Sequence, residues 1–396
     1  MSTTILHNGA PARRNDGLDT LRAFAIILVF MYHYMVFVSN EATFGWGSTA
    51  GWTGVDLFFV LSGYLISNQL FSGLVRGRAL SLKAYYARRL LRTLPNYYVV
   101  LALYFLFPLL MGGATPPPLW KFLTFTQNWR LQPGTAFSHA WSLCIEEQFY
   151  LLLPALVLLA ARYGKSIRGA WFLLGVLVLA GIALRSALWL RYGRDMDGAV
   201  NQYYPHIYYS TLCRFDELLP GVALAMLKNF HPALWHRMLA WGNATLACGA
   251  LALALLGYLV VNYYYIEGYG YAYFMTGFGY SLVALVFALL VLAALSPTSY
   301  LYRLRIPGAA QLAAWSYAIY LTHKPIAVIL HRMLKGGALT PALEAPLIGV
   351  ACVAGGWLLY RLVERPGMAL RDALYPSNFS APAIAAGAVE TPRKAA

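Results

Sequence analysis

Apolar segments about as long as a bilayer is thick recur along this chain, from residue 18 to about residue 363. A helix needs roughly 20 mostly apolar residues to cross the hydrocarbon core. Only 11% of the 396 residues are charged, whereas soluble domains have about a quarter. The pattern therefore predicts an all-α polytopic transmembrane helical bundle rather than a soluble domain with an anchor.

About ten spans are predicted, of which two are short, at residues 95–111 and 211–227. The other spans cover residues 18–38, 52–71, 142–161, 169–189, 239–262, 272–295, 312–333 and 345–363. We expect residues 1–375 to form one transmembrane domain. The remainder, residues 376–396, is rich in Pro, Ala, Ser and Thr and is expected to be a disordered cytoplasmic tail.

Lysine and arginine are distributed unevenly between alternate loops. With the N-terminus in the cytoplasm, 20 of the 30 basic residues fall in cytoplasmic segments and six in outer segments. Because basic residues favour the cytoplasmic side, the sequence predicts an N-in, C-in topology. The same rule explains the net charge of +15 without a nucleic-acid partner.

The remaining composition argues against disulfides and metal sites. The four cysteines, Cys144, Cys213, Cys248 and Cys352, fall in predicted spans and lack C-x-x-C spacing, so we expect small core residues. The chain contains no P-loop, dinucleotide fingerprint, H-E-x-x-H or G-x-S-x-G motif, and no tightly bound metal is expected. Outer loops such as "NYYYIEGYGYAYF" suit either an interfacial aromatic belt or a platform for sugar rings.

Ionisable side chains collect at one predicted depth near the outer surface. Such residues are costly in a bilayer and are functional by default. This layer holds His33, Asp56, Glu146, Glu147, Arg214 and Asp216, with His139 above it. A common depth does not require contact, and Asp56 and Asp216 are equally suited to ion pairs with Arg214 or Arg185.

His33 lies in the apolar stretch "FMYHYMVF", where it is either a packing residue or a general base. Arg22 precedes it by eleven residues, about three helical turns, so both project from one face about 16 Å apart. His323 presents the same two alternatives in a later span, beside Lys324 and Pro325.

A basic cluster precedes the third predicted span in "YYARRLLRTLPNYY". Arg89 and Arg92 are three residues apart and share a helix face. Two planar guanidiniums on one face suit phosphate oxygens. Anchoring to anionic lipid is the alternative.

Seven stretches, taken together and in order, resemble the acyltransferase-3 family of membrane acyltransferases. They are "GLDTLRAFAIILVFMYHY", "GVDLFFVLSGYLIS", "YYARRLLRTLPNYYVV", "HAWSLCIEEQFYLLLP", "CRFDELLPGVALA", "WSYAIYLTHKPI" and "LVERPGMALRD". The resemblance implies transfer of an acyl group, usually acetyl, from cytoplasmic acyl-CoA to a hydroxyl of a glycan or lipid-linked glycan. It therefore implies a multi-pass O-acetyltransferase of the bacterial inner membrane, surrounded by membrane lipids.

Roles for individual residues follow from the residues and the resemblance together. The resemblance matches six of them to the family's motifs: Arg22, His33, Arg89, Arg92, Glu146 and His323. The others come from their predicted depth near the outer surface. Acyl-CoA is expected at Arg22, Arg89 and Arg92. His33 is the expected base, oriented by Asp56 or Glu146. The acceptor is expected at His139, Trp141, Arg214, Asp216 and His323.

Three questions remain open from the sequence. Transfer is either direct or through a covalent acyl-histidine. The acceptor is either a glycan or, alternatively, a small molecule or a lipid. The remaining functional class is a non-enzymatic transporter of glycans or lipids.

The soluble SGNH esterase-like domain of longer family members is expected to be absent, because the chain ends soon after its last span.

Overall fold

The computed structural model describes residues 15–163, 166–193, 199–335 and 340–379, and this part of the chain is almost entirely helical. Its ten helices of 12 or more residues are α1 (Asp16–Tyr34), α2 (Thr53–Val75), α3 (Leu82–Leu106), α4 (Trp141–Tyr163), α5 (Ile167–Tyr192), α6 (Leu219–Phe230), α7 (Gly242–Tyr263), α8 (Tyr280–Leu295), α9 (Ala309–Leu334) and α10 (Pro341–Leu359).

Shorter elements connect and extend these helices. The short α-helices are Trp46–Thr49, Pro108–Met111, Leu119–Leu123, Ala199–Tyr203, Thr211–Arg214, Pro232–Ala240, Tyr300–Arg303 and Arg365–Leu374. Turns of π-helix cover Met35–Ser39, Tyr204–Tyr208, Met275–Gly279 and Tyr360–Glu364, and turns of 3₁₀-helix cover Ser138–Ala140 and Phe215–Leu218. Two-residue strands, Tyr265–Ile266 and Gly270–Tyr271, pair antiparallel in a loop.

Within the described residues, seven helical segments are long and apolar enough to cross a membrane. They are Asp16–Ser39, Thr53–Val75, Ser138–Tyr163, Ile167–Tyr192, Gly242–Tyr263, Met275–Leu295 and Ala342–Leu374. The protein is therefore a multi-pass membrane protein. The number of ten spans stays a prediction, because α3, α6 and α9 are more polar or shorter than those segments. The orientation with both termini inside also stays a prediction.

Two predicted spans differ from the observed helices. The span predicted at 95–111 belongs to α3, which begins at Leu82, where Oγ of Ser81 caps the helix by accepting from the N–H of Ala84 at 3.3 Å. The span predicted at 211–227 is broken into a short α-helix, a 3₁₀ turn at Phe215–Leu218 and α6. Hydropathy misses both features, because it records neither capping nor a change of helix type.

The helices pack around α1, which contacts α2, α8 and α9. A close crossing joins α2 to the segment that ends in α6. A Cβ atom at Gly63 would collide with the carbonyl oxygen of Leu218, and one at Gly221 would collide with that of Val60. The Ser-Gly step in "LSGYL" is therefore a close-packing site, as small residues commonly provide between membrane helices.

All four cysteines are free thiols, as predicted. Cys144, Cys213 and Cys352 are buried, whereas Cys248 is exposed on α7, so the expectation of a core position is wrong there. Of the tail predicted to be disordered, residues 376–379 are ordered: the N–H of Ser81 donates to the carbonyl of Asn378 at 3.0 Å. The rest of that tail lies outside the described residues.

Candidate active site

His33 and His323 form a hydrogen-bonded pair that joins α1 to α9. Nδ1 of His33 lies 2.7 Å from Nε2 of His323, and the two rings are stacked with centroids 4.9 Å apart. Both side chains are buried, with exposed fractions of 7% and 1%. Neither histidine is therefore the isolated packing residue that the sequence alone allowed.

The hydrogen bonds around the pair assign its protons. Nδ1 of His323 lies 3.0 Å from the carbonyl oxygen of Ile319, which only accepts, so this nitrogen carries the proton. In the neutral ring, Nε2 of His323 then has a lone pair and accepts from Nδ1–H of His33. This leaves Nε2 of His33 unprotonated, and no described residue bonds to it. Such a nitrogen is free to act as a base or a nucleophile.

His139 is the third histidine of the cluster, and Pro325 explains its orientation. Its ring centroid lies 6.1 Å from that of His33 and 5.3 Å from that of His323. Because Pro325 has no N–H, the carbonyl of Leu321 in α9 is free to accept from Nε2 of His139 at 3.3 Å. His139, predicted to bind the acceptor at the mouth, is instead buried beside the pair.

The separation of the His33 and His323 nitrogens fits a hydrogen bond rather than a shared metal ion. Nitrogens that bind one zinc ion lie about 2.0–2.1 Å from it, which places them about 3.3 Å apart in a tetrahedral site. Among the described residues, no group of three or more His, Cys, Asp or Glu side chains is arranged to hold a metal.

Three arginines form a second group, which we call the arginine cluster: Arg22, Arg89 and Arg92. Arg22 lies on the same helix as His33, and eleven residues correspond to about 16 Å along the axis. The three guanidiniums are close enough to repel one another. Nε of Arg22 is buried without a hydrogen-bond partner in the described chain, and Arg92 has neither a hydrogen bond nor an ion pair there.

Arg89 is the member of this cluster that forms a close ion pair in the described structure. Its Nε lies 3.6 Å from Oε1 of Glu147, which is an ion pair too long for a hydrogen bond. Its guanidinium stacks on the ring of Tyr150, 3.4 Å from the centroid. The arginine cluster thus has one close ion pair, and Glu146 and Glu364 also attract its arginines. Three guanidiniums held this close together still suit an anionic ligand.

A row of polar side chains on α9 extends from the histidine pair toward α3 and α4. Oη of Tyr320 lies 2.6 Å from Oγ of Ser142 in α4. One turn earlier, Oη of Tyr317 donates to the carbonyl of Thr93 in α3 at 2.9 Å. Because Tyr317, Tyr320 and His323 follow at three-residue spacing, they share one face of the helix. This row was not identified from the sequence, although that spacing was its signal.

Neither carboxylate predicted to orient His33 contacts it. Glu146 accepts from the hydroxyl of Ser62 and, at 3.3 Å, from Oη of Tyr150. Asp56 accepts from Arg214. The prediction that Asp56 or Glu146 orients His33 is therefore wrong. A common depth does not determine the direction in which a side chain points around its helix, and His323 is the orienting group instead.

Arg214 is the centre of a buried ion network. Its Nη2 donates to Asp56 at 3.2 Å and to Oε2 of Glu217 at 3.1 Å. Four aromatic rings surround the guanidinium, with centroids 4.1 to 6.0 Å away: Trp52, Trp141, Tyr208 and Tyr280. The predicted acceptor-binding residues Arg214 and Trp141 are thus enclosed in the core. Glu217 was not predicted from the sequence, although its i+3 spacing from Arg214 was a signal.

Arg185 and Asp216 form a second buried ion pair between α5 and the 3₁₀ turn at Phe215–Leu218. Their two hydrogen bonds are 2.5 and 2.9 Å long, and Oγ of Ser281 donates to the same carboxylate at 2.6 Å. Both side chains are fully buried. The ion-pair alternative is therefore correct for Asp56 and Asp216, and an acceptor-binding role for Asp216 is not supported.

Comparisons with known proteins agree with this arrangement. Residues 15–361 match the model of a family described as an acyltransferase domain. The peptidoglycan O-acetyltransferase OatA of Listeria monocytogenes is 29% identical over 339 residues, which cover 80% of this chain and 50% of that protein. The putative peptidoglycan O-acetyltransferase YrhL of Bacillus subtilis is 30% identical over 342 residues, which cover 82% of this chain and 50% of that protein.

More distant relatives extend the same relationship. A putative O-acetyltransferase of Staphylococcus aureus is 25% identical over 379 residues, which cover 89% of this chain and 57% of that protein. No solved structure matches the chain. The chain spans about half the length of the curated relatives that it matches most strongly. Because the family model covers residues 15–361, the chain belongs to the acyltransferase-3 family of membrane acyltransferases.

Proposed function

We propose that this protein transfers an acetyl group from cytoplasmic acetyl-CoA to a hydroxyl of a cell-surface or exported glycan. The observation that carries the proposal is the His33–His323 pair, which leaves Nε2 of His33 as a free base on the helix that also holds Arg22. The names of the O-acetyltransferase relatives support the acetyl group and the glycan hydroxyl. A bacterial inner membrane is the corresponding location.

The arginine cluster suits the donor. Coenzyme A has phosphate groups at one end and a thioester at the other, joined by an extended arm. Nε of Arg22 and the whole guanidinium of Arg92 make no hydrogen bond among the described residues, so they are available to bind phosphate oxygens. The arm is then directed along the face of α1 on which Arg22 and His33 lie about 16 Å apart.

The histidine pair suits the chemical step. Nε2 of His33 takes the proton of the acceptor hydroxyl while the hydroxyl oxygen attacks the thioester carbonyl. The C–S bond then breaks, and the thiolate sulfur of coenzyme A receives the proton from His33. His323 accepts from Nδ1–H throughout and so stabilises the imidazolium and holds its orientation.

A covalent route uses the same atoms in two steps. Nε2 of His33 attacks the thioester carbonyl, and the C–S bond breaks to release the thiolate of coenzyme A. The acceptor hydroxyl later attacks the acyl-imidazole carbonyl, the C–N bond to His33 breaks, and the proton of the hydroxyl balances the charge of the released thiolate. This route suits a donor and an acceptor that approach from opposite faces of the membrane. Trapping of labelled acetyl on the protein in the absence of acceptor distinguishes it from direct transfer.

Exposed tryptophans support a glycan as the acceptor class. Trp120 and Trp129 lie in the segment between α3 and α4, with 58% and 71% of their surfaces exposed. Aromatic faces stack on sugar rings, whereas a small-molecule or lipid acceptor needs no such surface. Replacement of both by alanine is expected to weaken glycan transfer and to leave transfer to a soluble alcohol unchanged.

Radiolabelled acetyl-CoA added to inside-out membrane vesicles tests the proposal. Vesicles with the protein should consume the donor and place label in the polysaccharide fraction, while vesicles with His33→Ala should not. Label in the lipid fraction or in a small molecule would reassign the acceptor. Intact donor in vesicles with folded wild-type protein would exclude an acyltransferase and favour a transporter.

A further inference from the structure

Lys324 is a buried basic residue beside the histidine pair and has no part in the proton transfer described above. It follows His323 directly in α9 and is 3% exposed. Its Nζ donates to the carbonyl of Thr135 at 3.2 Å and to Oγ of Ser138 at 3.3 Å. The same nitrogen lies 4.2 Å from the ring centroid of Phe37.

These three neighbours suit a charged ammonium group. An ammonium nitrogen has three N–H donors and no acceptor. The carbonyl oxygen of Thr135, the hydroxyl oxygen of Ser138 and the face of Phe37 all present negative charge density to it. Lys324 is therefore held in a fixed position by groups that suit its charged form.

No carboxylate lies within ion-pair distance of Lys324 among the described residues. The other fully buried cations of the bundle behave differently: Arg185 is paired with Asp216, and Arg214 is paired with Asp56 and Glu217. A buried charge without a counter-charge is costly. A negative charge that exists only during the reaction would compensate for that cost.

The position of Lys324 relative to the base supports such a role. The ammonium group of Lys324 lies over the face of the Phe37 ring. The centroid of that ring is also 5.1 Å from the centroid of the His33 ring. The cation and the base therefore flank one aromatic ring. No described carboxylate bonds to either group, so the charge of Lys324 is not neutralised locally.

We propose that Lys324 stabilises the negative charge that develops on the acyl oxygen during transfer. Attack of the acceptor oxygen on the carbonyl carbon moves the electron pair of the C=O bond onto that oxygen. The pair returns when the C–S bond breaks, and the thiolate takes the proton held by His33. Fixed positive charge in a water-poor site lowers the energy of the charged intermediate. This inference rests on the proposed acetyl transfer.

Purified protein in liposomes, with acetyl-CoA and a glycan acceptor, tests the role of Lys324. Lys324→Met removes the charge and keeps an apolar stem of similar length, and it should lower kcat about 100-fold or more with little change in KM for acetyl-CoA. Lys324→Arg restores the charge and should recover much of the lost rate.

Ser138→Ala is the matched control, because it removes one hydrogen bond of Lys324 and leaves its charge. A few-fold effect of Ser138→Ala beside a large effect of Lys324→Met supports electrostatic stabilisation. Equal losses in the two variants, or no recovery in Lys324→Arg, would reduce Lys324 to an anchor for the segment at residues 135–138. Thermal unfolding of each variant in detergent separates a loss of rate from a loss of fold.

His33→Ala distinguishes failure of this inference from failure of the proposed function. An inactive His33→Ala protein beside a fully active Lys324→Met protein would overturn the role of Lys324 alone. Full activity of His33→Ala would overturn the acyl-transfer mechanism on which the inference rests. If Lys324→Met does not fold, Lys324→Gln compared with Lys324→Arg provides the same contrast of charge.

Discussion

His33 donates a hydrogen bond of 2.7 Å to His323, across 290 positions of sequence. The carbonyl of Ile319 fixes His323 as the acceptor in this bond, since it accepts the only proton of the neutral His323 ring. A histidine thus occupies the orienting position that a carboxylate holds in many catalytic sites. A neutral orienting group is less costly than a carboxylate in a bilayer.

Replacement of His323 by alanine should lower kcat about 100-fold, because His33 loses the acceptor that sets its tautomer and orientation. The measurement is the initial rate of label transfer from acetyl-CoA in liposomes. His206→Ala is a suitable control, because His206 stacks on Tyr192 away from the histidine pair. A rate within two-fold of wild type would remove His323 from the mechanism.

Replacement of Arg89 and Arg92 together by alanine should raise KM for acetyl-CoA about 100-fold or more, since each of the two charged hydrogen bonds lost contributes about 1.5–3 kcal/mol. Arg88→Ala is the control: Arg88 bonds to the carbonyl of Tyr375 and pairs with Asp372 at 3.3 Å, so it fastens the last helix. Equal increases in KM for both proteins would mean that the arginine cluster has no special role in donor binding.

Replacement of Asp216 by asparagine should destabilise the protein by about 3–5 kcal/mol, because Arg185 is left buried without its counter-charge. Thermal unfolding in detergent measures the loss, and kcat per folded molecule should stay near that of wild type. Asp372 pairs with Arg88 at the surface, and its side chain is 55% exposed. Asp372→Asn should therefore change stability by less than about 1 kcal/mol. A stable Asp216→Asn protein with poor acceptor affinity would return Asp216 to the acceptor site.

Replacement of Gly221 by alanine should destabilise the bundle by about 1–3 kcal/mol, since its Cβ would collide with the carbonyl of Val60. Gly257→Ala in α7 is the control, because a Cβ there meets no atom within 4 Å of the described structure. Helix propensity alone favours both changes by up to about 1 kcal/mol. A higher unfolding temperature in both variants would contradict the close α2–α6 crossing.

The sequence predicted the features that depend on one helix at a time. Apolar length identified helices long enough to cross a membrane, seven of them among the described residues, and an eleven-residue interval placed Arg22 and His33 on one helix face. Contacts between helices were not predictable in this way. Depth placed Asp56 beside His33, but its side chain points to Arg214, and the partner of His33 came from α9. The spacing of residues along the chain predicts how deep a side chain lies in the membrane. The direction in which that side chain points around its helix is determined by packing between helices.

The most direct test of the account is the rate of coenzyme A release by purified protein in liposomes, with acceptor present. Wild-type protein and His33→Ala protein are compared at saturating acetyl-CoA, after both are shown to be folded. If Nε2 of His33 is the base or nucleophile, the substitution should lower acceptor-dependent release about 10³-fold or more. Release by His33→Ala within ten-fold of wild type would contradict the central role of His33.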